Sequence, residues 1–218
     1  GVAKKYRYLP LYSVSGLWRA KEENWLKDVK WMDNLCLRAS YGLQGNIDKN
    51  TSPYLIGTLK KGTILPGISE DIINSETAPN PNLKWETTYS TNVGIDLSLF
   101  NGRIEFIADW YYKKTNDLLM MLDLPAFIGS GTGSKYGTAS NPWGNVGSLE
   151  NKGIEFTINT ANIENKNFSW HSNFVFSLNR NKVVSLDSET GSLPQTVQIG
   201  SETATVTNTK VGQPIGQF

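Results

Sequence analysis

The sequence predicts an all-β fold, an antiparallel meander of about six long strands of a transmembrane β-barrel. Residues 85–100 alternate between apolar and polar side chains, and a period of two places the two sets on opposite faces of a strand. Asn101-Gly102 is a strong hairpin signal, because both central residues of a type I′ turn need positive φ. Both arms exceed the ~5–6 residues usual for strands, and such length is typical of transmembrane barrels.

Two predicted strands precede this hairpin. Residues 8–19 form the least regular strand, with one register that consists of Tyr12, Val14, Gly16 and Trp18. Residues 35–44 form the second, with an apolar register that consists of Leu35, Leu37, Ala39, Tyr41 and Leu43. The link between them, residues 20–34, is compatible with a helical turn.

The hairpin itself supplies the third and fourth strands, residues 85–100 and 103–112. In the third strand we expect one register to face lipid (Val93, Ile95 and Leu97) and the other to face the lumen (Asn92, Asp96 and Ser98). The fifth and sixth strands, residues 153–162 and 168–182, repeat the alternation with Ile and Phe on one side.

The connections alternate in length. The third and fourth strands are joined by a tight turn and the fifth and sixth by residues 163–167, whereas residues 45–84, 118–152 and 183–218 form long loops. Short turns at one rim and long outer loops at the other are typical of bacterial outer-membrane barrels. The link at residues 20–34 is an exception, because it is of middling length on the short side.

Charge, cysteine content and the first residues of the chain limit its function. The net charge of +1 and the scattered lysines argue against a nucleic-acid partner. With Cys36 as the single cysteine, no internal disulfide can form. The first residues lack the apolar segment of a signal peptide, so we expect either a processed chain or a chain that begins inside a longer protein.

The sequence predicts no catalytic, cofactor-binding or metal-ligating residue, and therefore no enzyme. His171 is the single histidine and has no second histidine with which to form a metal site or a relay. The glycine-rich run that ends at Lys135 lacks the ending of a phosphate-binding loop. Three aromatic residues among loop glycines and prolines are candidate ligand or lid contacts: Tyr54, Tyr136 and Trp143.

Several blocks resemble the SusC/RagA-like TonB-dependent outer-membrane transporters of Bacteroidetes. They are LRASYGLQGN at residues 37–46, NPNLKWETT at 80–88, DWYYKKTNDLL at 109–119, NVGSLENKGIEFTINTANIENKNFSW at 145–170 and VGQPIGQF at 211–218. They follow the order of the family and extend over most of the chain.

The resemblance implies a plugged barrel in a Gram-negative outer membrane, embedded in lipid, that imports glycans (oligosaccharides) or peptides. It also implies two partners, a SusD-like surface lipoprotein and TonB, which acts through the plug. We expect residues 1–218 to be a partial barrel without the plug domain and the remaining strands.

One alternative remains open. A soluble carbohydrate-binding β-sandwich would use Tyr54, Tyr136 and Trp143 as a ligand platform. Sandwich strands are short, with a turn every ~8–12 residues, so the long arms and unequal loops favour the barrel.

Overall fold

The computed structural model describes residues 1–49, 51–54, 56–65, 68–77, 79–121, 143–187, 192–199 and 202–215. Twelve strands occur in the described residues: β1 Tyr12–Arg19, β2 Met32–Asn46, β3 Ile56–Leu65, β4 Ile68–Thr77, β5 Glu86–Leu99, β6 Ile104–Asn116, β7 Leu119–Met121, β8 Trp143–Asn145, β9 Gly147–Glu164, β10 Ser169–Leu186, β11 Ser192–Ile199 and β12 Glu202–Lys210. Two short 3-10 helices occupy Lys4–Tyr6 and Ala20–Glu22. None of the helices in the described part of the chain is long and apolar enough to cross a membrane.

Six of these strands form one sheet in the order β1-β2-β5-β6-β9-β10. They correspond one to one to the six predicted strands, and the predicted pairing of the third with the fourth and of the fifth with the sixth is confirmed. The strands contain between 8 and 18 residues. The first begins at Tyr12 rather than at residue 8. Pro10, just before it, has no N–H to give to a ladder.

The remaining strands form three two-stranded sheets, β3-β4, β7-β8 and β11-β12. They lie in or at the ends of the segments that we predicted as loops without strands. β3, β4, β11 and β12 carry polar side chains in both registers, and β7 and β8 have three residues each. These strands therefore show little of the apolar alternation that marks a half-buried strand. Single hairpins do not fit the soluble sandwich, which needs two larger sheets packed face to face.

The chain divides into two compact units. Unit 1 comprises residues 1–10, 45–87 and 116–148, and unit 2 comprises residues 11–44, 88–115 and 149–218. In unit 1, Leu83 is fully buried, and its backbone oxygen accepts a hydrogen bond of 2.9 Å from the backbone nitrogen of Ala3. In unit 2, Val183 near the end of β10 is fully buried, and its backbone bonds to Gly212 and Gln213 at 2.8 and 2.9 Å.

The turn between β5 and β6 has the positive φ values that the Asn-Gly signal predicts. Asn101 and Gly102 have φ of 58° and 75°, and Phe100 before them has 57°. A non-glycine residue in this region is uncommon, because its Cβ crowds the backbone. Neighbouring groups fix the turn: the Phe100 nitrogen donates to the Trp31 oxygen at 2.9 Å, and the Gly102 nitrogen donates to Asp33 Oδ2 at 3.0 Å. The connection between β1 and β2, predicted at residues 20–34 and observed at residues 20–31, therefore lies at the same rim as this short turn.

Candidate functional site

One face of the six-stranded sheet carries a linked set of charged side chains. Arg38 on β2 binds Asp96 on β5 through two nitrogens, Nε to Oδ2 at 2.8 Å and Nη2 to Oδ1 at 2.9 Å. The same Nη2 lies 3.2 Å from Asp109 Oδ1 on β6. One guanidinium therefore joins three neighbouring strands and leaves a local excess of one negative charge.

Gly94 makes room for this ion cluster. A Cβ at this position would lie 2.5 Å from Asp109 Oδ1 and 2.8 Å from Arg38 Cζ. The guanidinium consequently lies directly over the backbone of β5. A groove of about 390 Å³ opens beside it, and its polar lining includes Ser15, Ser40, Asn92 and Asp109. Asn92 Nδ2 donates to Ser40 Oγ at 3.2 Å, so the polar registers of β2 and β5 share one face.

The polar face continues along β9 and β10 as a ladder of uncharged and acidic groups. Asn173 Nδ2 donates to Asn159 Oδ1 at 2.6 Å, and Ser177 Oγ lies 3.4 Å from Glu155 Oε1. His171 lies at the same rim as the short turns and lines a second groove of about 390 Å³ together with Glu105, Asn159 and Glu164. Among the described residues, no three His, Cys, Asp or Glu side chains converge on a point where they could hold a metal ion.

The opposite face is apolar and aromatic. Phe156 on β9 lies between Phe106 on β6 and two rings on β10, with centroid distances of 6.2 Å to Phe106, 5.9 Å to Phe174 and 5.1 Å to Phe176. Many of these side chains are open: Val93 is 47% exposed and Phe174 is 56% exposed. Rings at these spacings attract one another, but no second layer of this chain covers them within unit 2 as far as it is described. The division of β5 into an apolar and a polar register is therefore realised in the fold.

The three predicted loop aromatics have different outcomes. Tyr54 lies in unit 1 with 58% of its surface exposed, and its backbone nitrogen donates to Ser52 Oγ at 3.2 Å. Trp143 lies in β8 opposite Met121, half-buried, and its backbone oxygen accepts a bond of 2.7 Å from Asn80 Nδ2. The rings of Tyr54 and Trp143 do not form an aromatic pair in the residues that the structure describes. Tyr136 lies outside the described residues.

Sequence reasoning did not single out Asn145, which organises unit 1. Its side chain donates to the backbone oxygens of Lys84 and Asp117 at 3.0 and 2.8 Å and accepts from the Lys84 nitrogen at 3.0 Å. Lys84 Nζ also reaches Asp117 Oδ1 at 2.7 Å. Asparagine can satisfy a backbone donor and two acceptors at once, which a carboxylate or an apolar residue cannot do. The only sequence signal for Lys84, Asp117 and Asn145 is that each lies inside one of the family-like blocks, which begin at residues 80, 109 and 145.

The Arg38 cluster was also missed, although Asp96 was placed on the polar face. The sequence does carry a signal for this cluster, because charged residues occur in the polar registers of the second, third and fourth predicted strands. The tight turn fixes how β5 pairs with β6, but the long segment between β2 and β5 leaves their relative register open. Sequence alone therefore could not bring Arg38 opposite Asp96.

The chain matches the family described as "TonB dependent receptor-like, beta-barrel" over residues 4–215. TonB-dependent receptor P26 of Formosa agariphila is 39% identical over 184 residues, which cover 84% of this chain and 17% of that protein. TonB-dependent receptor SusC of Bacteroides thetaiotaomicron is 35% identical over 214 residues, which cover 96% of this chain and 20% of that protein. The chain thus spans about a fifth of the length of the curated relatives that it matches.

The fold of the chain is also similar to that of solved structures. The RagAB peptide importer in its closed-closed state superposes with a TM-score of 0.77 and 25% identity, covering 98% of this chain and 21% of the other. In its open-open state the TM-score is 0.74, with the same identity and coverage. The chain is similar to this structure over nearly its whole length.

Proposed function

The chain belongs to the TonB-dependent receptor β-barrel family, as a SusC/RagA-like segment of the barrel, and from this premise we propose that the whole protein imports glycans or peptides. Members of this family are outer-membrane transporters of Gram-negative bacteria and not enzymes. The segment contributes wall and loops to the transport path rather than reacting groups.

The single observation that carries the proposal is the two-faced sheet of long strands. An apolar face that holds Val93 and the Phe156 ring cluster suits lipid, whereas the face with Arg38, Asp96 and Asn173 suits a wet lumen. The two edges of the sheet, β1 and β10, pair with no further strand in the described residues. In a membrane such edges must be paired, because no water is present to satisfy their N–H and C=O groups.

The long segments belong to the outside of the cell in this proposal. The outer loops are the connections between β2 and β5 and between β6 and β9, together with the segment after β10. They correspond to the predicted loops 45–84, 118–152 and 183–218, and each contains one pair of antiparallel strands. Exposed loop aromatics such as Tyr54 are suited to stack on a sugar ring or to contact a partner protein. We assign that partner as a SusD-like surface lipoprotein, by analogy with the two-component RagAB importer. TonB supplies energy through a plug domain elsewhere in the same protein.

Uptake by living cells tests the proposal. The native host would be given a labelled glycan mixture and, separately, a labelled peptide mixture, with and without the full-length protein. We expect one of the two uptakes to fall to background when the protein or TonB is removed. Affinity purification in mild detergent should recover a lipoprotein with the full-length protein. Uptake of both mixtures that persists without TonB would refute the transport role.

A further inference from the structure

We propose that the connection between β1 and β2, residues 20–31, is an interfacial anchor that inserts Trp25 into the phospholipid headgroup layer at the short-turn rim. The inference rests on the proposed function, because it needs the apolar face of the sheet to face lipid. It adds a lipid contact outside the barrel strands, at a connection whose length sets it apart from the other short turns.

The connection is an ordered turn. Lys21 Nζ donates to the backbone oxygens of Leu26, Lys27 and Val29 at 2.9, 3.0 and 2.7 Å. The Leu26 and Lys27 nitrogens donate to the Glu23 oxygen at 2.9 and 2.8 Å. One ammonium thus satisfies three carbonyls that would otherwise need water, and it fixes the backbone on both sides of Trp25.

Trp25 itself is 67% exposed on this fixed turn. An ordered loop that holds a large indole away from its own unit gains nothing from it in water, because apolar surface prefers to leave water. An indole is favoured at a membrane interface, where its ring meets acyl chains and its N–H meets headgroups. The exposure is therefore accounted for if a lipid layer covers the ring.

The connection is tied to the apolar side of the sheet. Trp18 stands in the apolar register of β1, beside Leu37 of β2, and its Nε1 donates to Glu23 Oε1 at 2.9 Å. Trp31 forms a ring pair with Phe100 of the neighbouring turn at 6.4 Å. Phe168 and Trp170, exposed at the β9-β10 turn, continue the aromatic set at the same rim. This continuity with the lipid-facing surface identifies the occupant as lipid rather than a protein domain.

The net charge of the connection indicates which kind of phospholipid headgroup it contacts. Residues 20–31 contain three lysines and three acidic residues, Lys21, Lys27, Lys30, Glu22, Glu23 and Asp28, which sum to zero. A neutral segment does not depend on attraction to anionic lipids, in contrast to polybasic membrane anchors. A zwitterionic phospholipid, with both signs of charge in each headgroup, is the matching partner.

Depth-dependent fluorescence quenching tests the anchor in the full-length protein. A small thiol-reactive fluorophore would be attached to Trp25→Cys or, as the matched control, to Val93→Cys, with Cys36→Ser and all other cysteines replaced. Val93 lies near the middle of β5 on the apolar face. Vesicles of phosphatidylcholine would carry bromine either close to the headgroup or at the middle of the acyl chain. Iodide would be present on both sides as the aqueous quencher.

We expect the label at position 25 to be quenched several-fold more by bromine near the headgroup than by mid-chain bromine, and the label at position 93 to show the reverse. If iodide quenches position 25 as fully as the free dye and neither lipid quenches it, while position 93 responds to mid-chain bromine, the anchor is refuted and the barrel stands. If neither position responds to brominated lipid, the lipid-facing assignment of the sheet fails together with the anchor.

Discussion

Gly153 on β9 shows how closely one residue is matched to its neighbours. A Cβ there would lie 2.5 Å from the hydroxyl oxygen of Tyr111 and 2.6 Å from the backbone oxygen of Leu178. The tyrosine ring thus lies over a bare stretch of β9, an arrangement in which an aromatic side chain covers a glycine in a neighbouring strand. Glycine is required here because of space, since its φ is not in the left-handed region.

Gly153→Ala should therefore destabilise the full-length protein by about 1–3 kcal/mol, the usual cost of forcing one extra carbon into a filled site. Gly16→Ala on β1 is the control, because no atom lies within 4 Å of a Cβ placed there. The urea midpoint of each variant measures the loss of stability, with unfolding monitored by gel electrophoresis as the folded, heat-modifiable band disappears. Equal midpoints for the two variants would contradict the packing argument.

The Arg38–Asp96 pair makes a second prediction about single residues. Their side chains are 37% and 30% exposed, so water screens the attraction despite the short distances. A double-mutant cycle with Arg38→Gln and Asp96→Asn should give a coupling of about 0.2–1 kcal/mol in the unfolding free energy. A coupling of several kcal/mol would mean that the intact protein excludes water from this part of the polar face.

The hairpin of β5 and β6 depends on the left-handed backbone conformation of its turn. Gly102 has φ of +75°, and no atom lies within 4 Å of a Cβ built on it, so strain is the main cost of a side chain. Gly102→Val should cost about 1–2 kcal/mol, because the left-handed region crowds the Cβ of ordinary residues. Gly102→Asn should cost less, since asparagine tolerates this region. Thermal unfolding of the two variants distinguishes them, and equal losses would exclude backbone strain as the cause.

The two registers of β5 can be compared by placing the same charge on each. Ile95→Arg should destabilise the full-length protein by about 2–4 kcal/mol if Ile95 lies near the middle of the bilayer, because a cation then enters lipid. Ser90→Arg, on the same strand in the polar register, should be much milder, because we expect this register to face the water-filled lumen. Folding yields and urea midpoints in lipid vesicles measure the difference. Similar losses at both sites would count against lipid exposure of the apolar face.

The long strands were predictable because a half-buried strand repeats every two residues. β5 is the clearest case, since its observed bounds, Glu86–Leu99, differ from the predicted range by a single residue at each end. β9 was placed six residues too late, because its first residues mix Gly, Ser, Glu and Asn without a clear apolar register. Its start is fixed instead by backbone pairing of Leu118 with Val146 and Gly147. That contact joins residues far apart in the sequence and leaves no local signal.

At the candidate site, the sequence predicted which side chains share a face but not which of them meet. Asp96 was assigned correctly to the polar register, yet its partner Arg38 is brought opposite by a register between β2 and β5 that the local sequence does not encode. Tyr54 and Trp143 were selected by composition alone. Whether either of them contacts a ligand or a partner protein stays a prediction.

For the molecule as a whole, the sheet should not be soluble by itself. Its apolar face is largely exposed, and the edges β1 and β10 offer unpaired backbone groups to other chains. The 218-residue chain expressed alone and without detergent should therefore self-associate. Sedimentation velocity combined with a denaturant melt tests this, and a compact monomer with one sharp transition would contradict it. The full-length protein in detergent is the control and should sediment as a defined species.

Each long segment between the sheet strands contains a hairpin that pairs with itself: β3 with β4, β7 with β8 and β11 with β12. The two strands of each hairpin pair with each other and not with the six-stranded sheet, so exchanging one hairpin leaves the ladder of that sheet intact. Insertions and substitutions can then accumulate in these segments without a loss of membrane integration. Gene duplication followed by replacement of a hairpin would give a bacterium a new uptake specificity on the same barrel strands. The sequences of the barrel strands would then diverge more slowly than those of the hairpins.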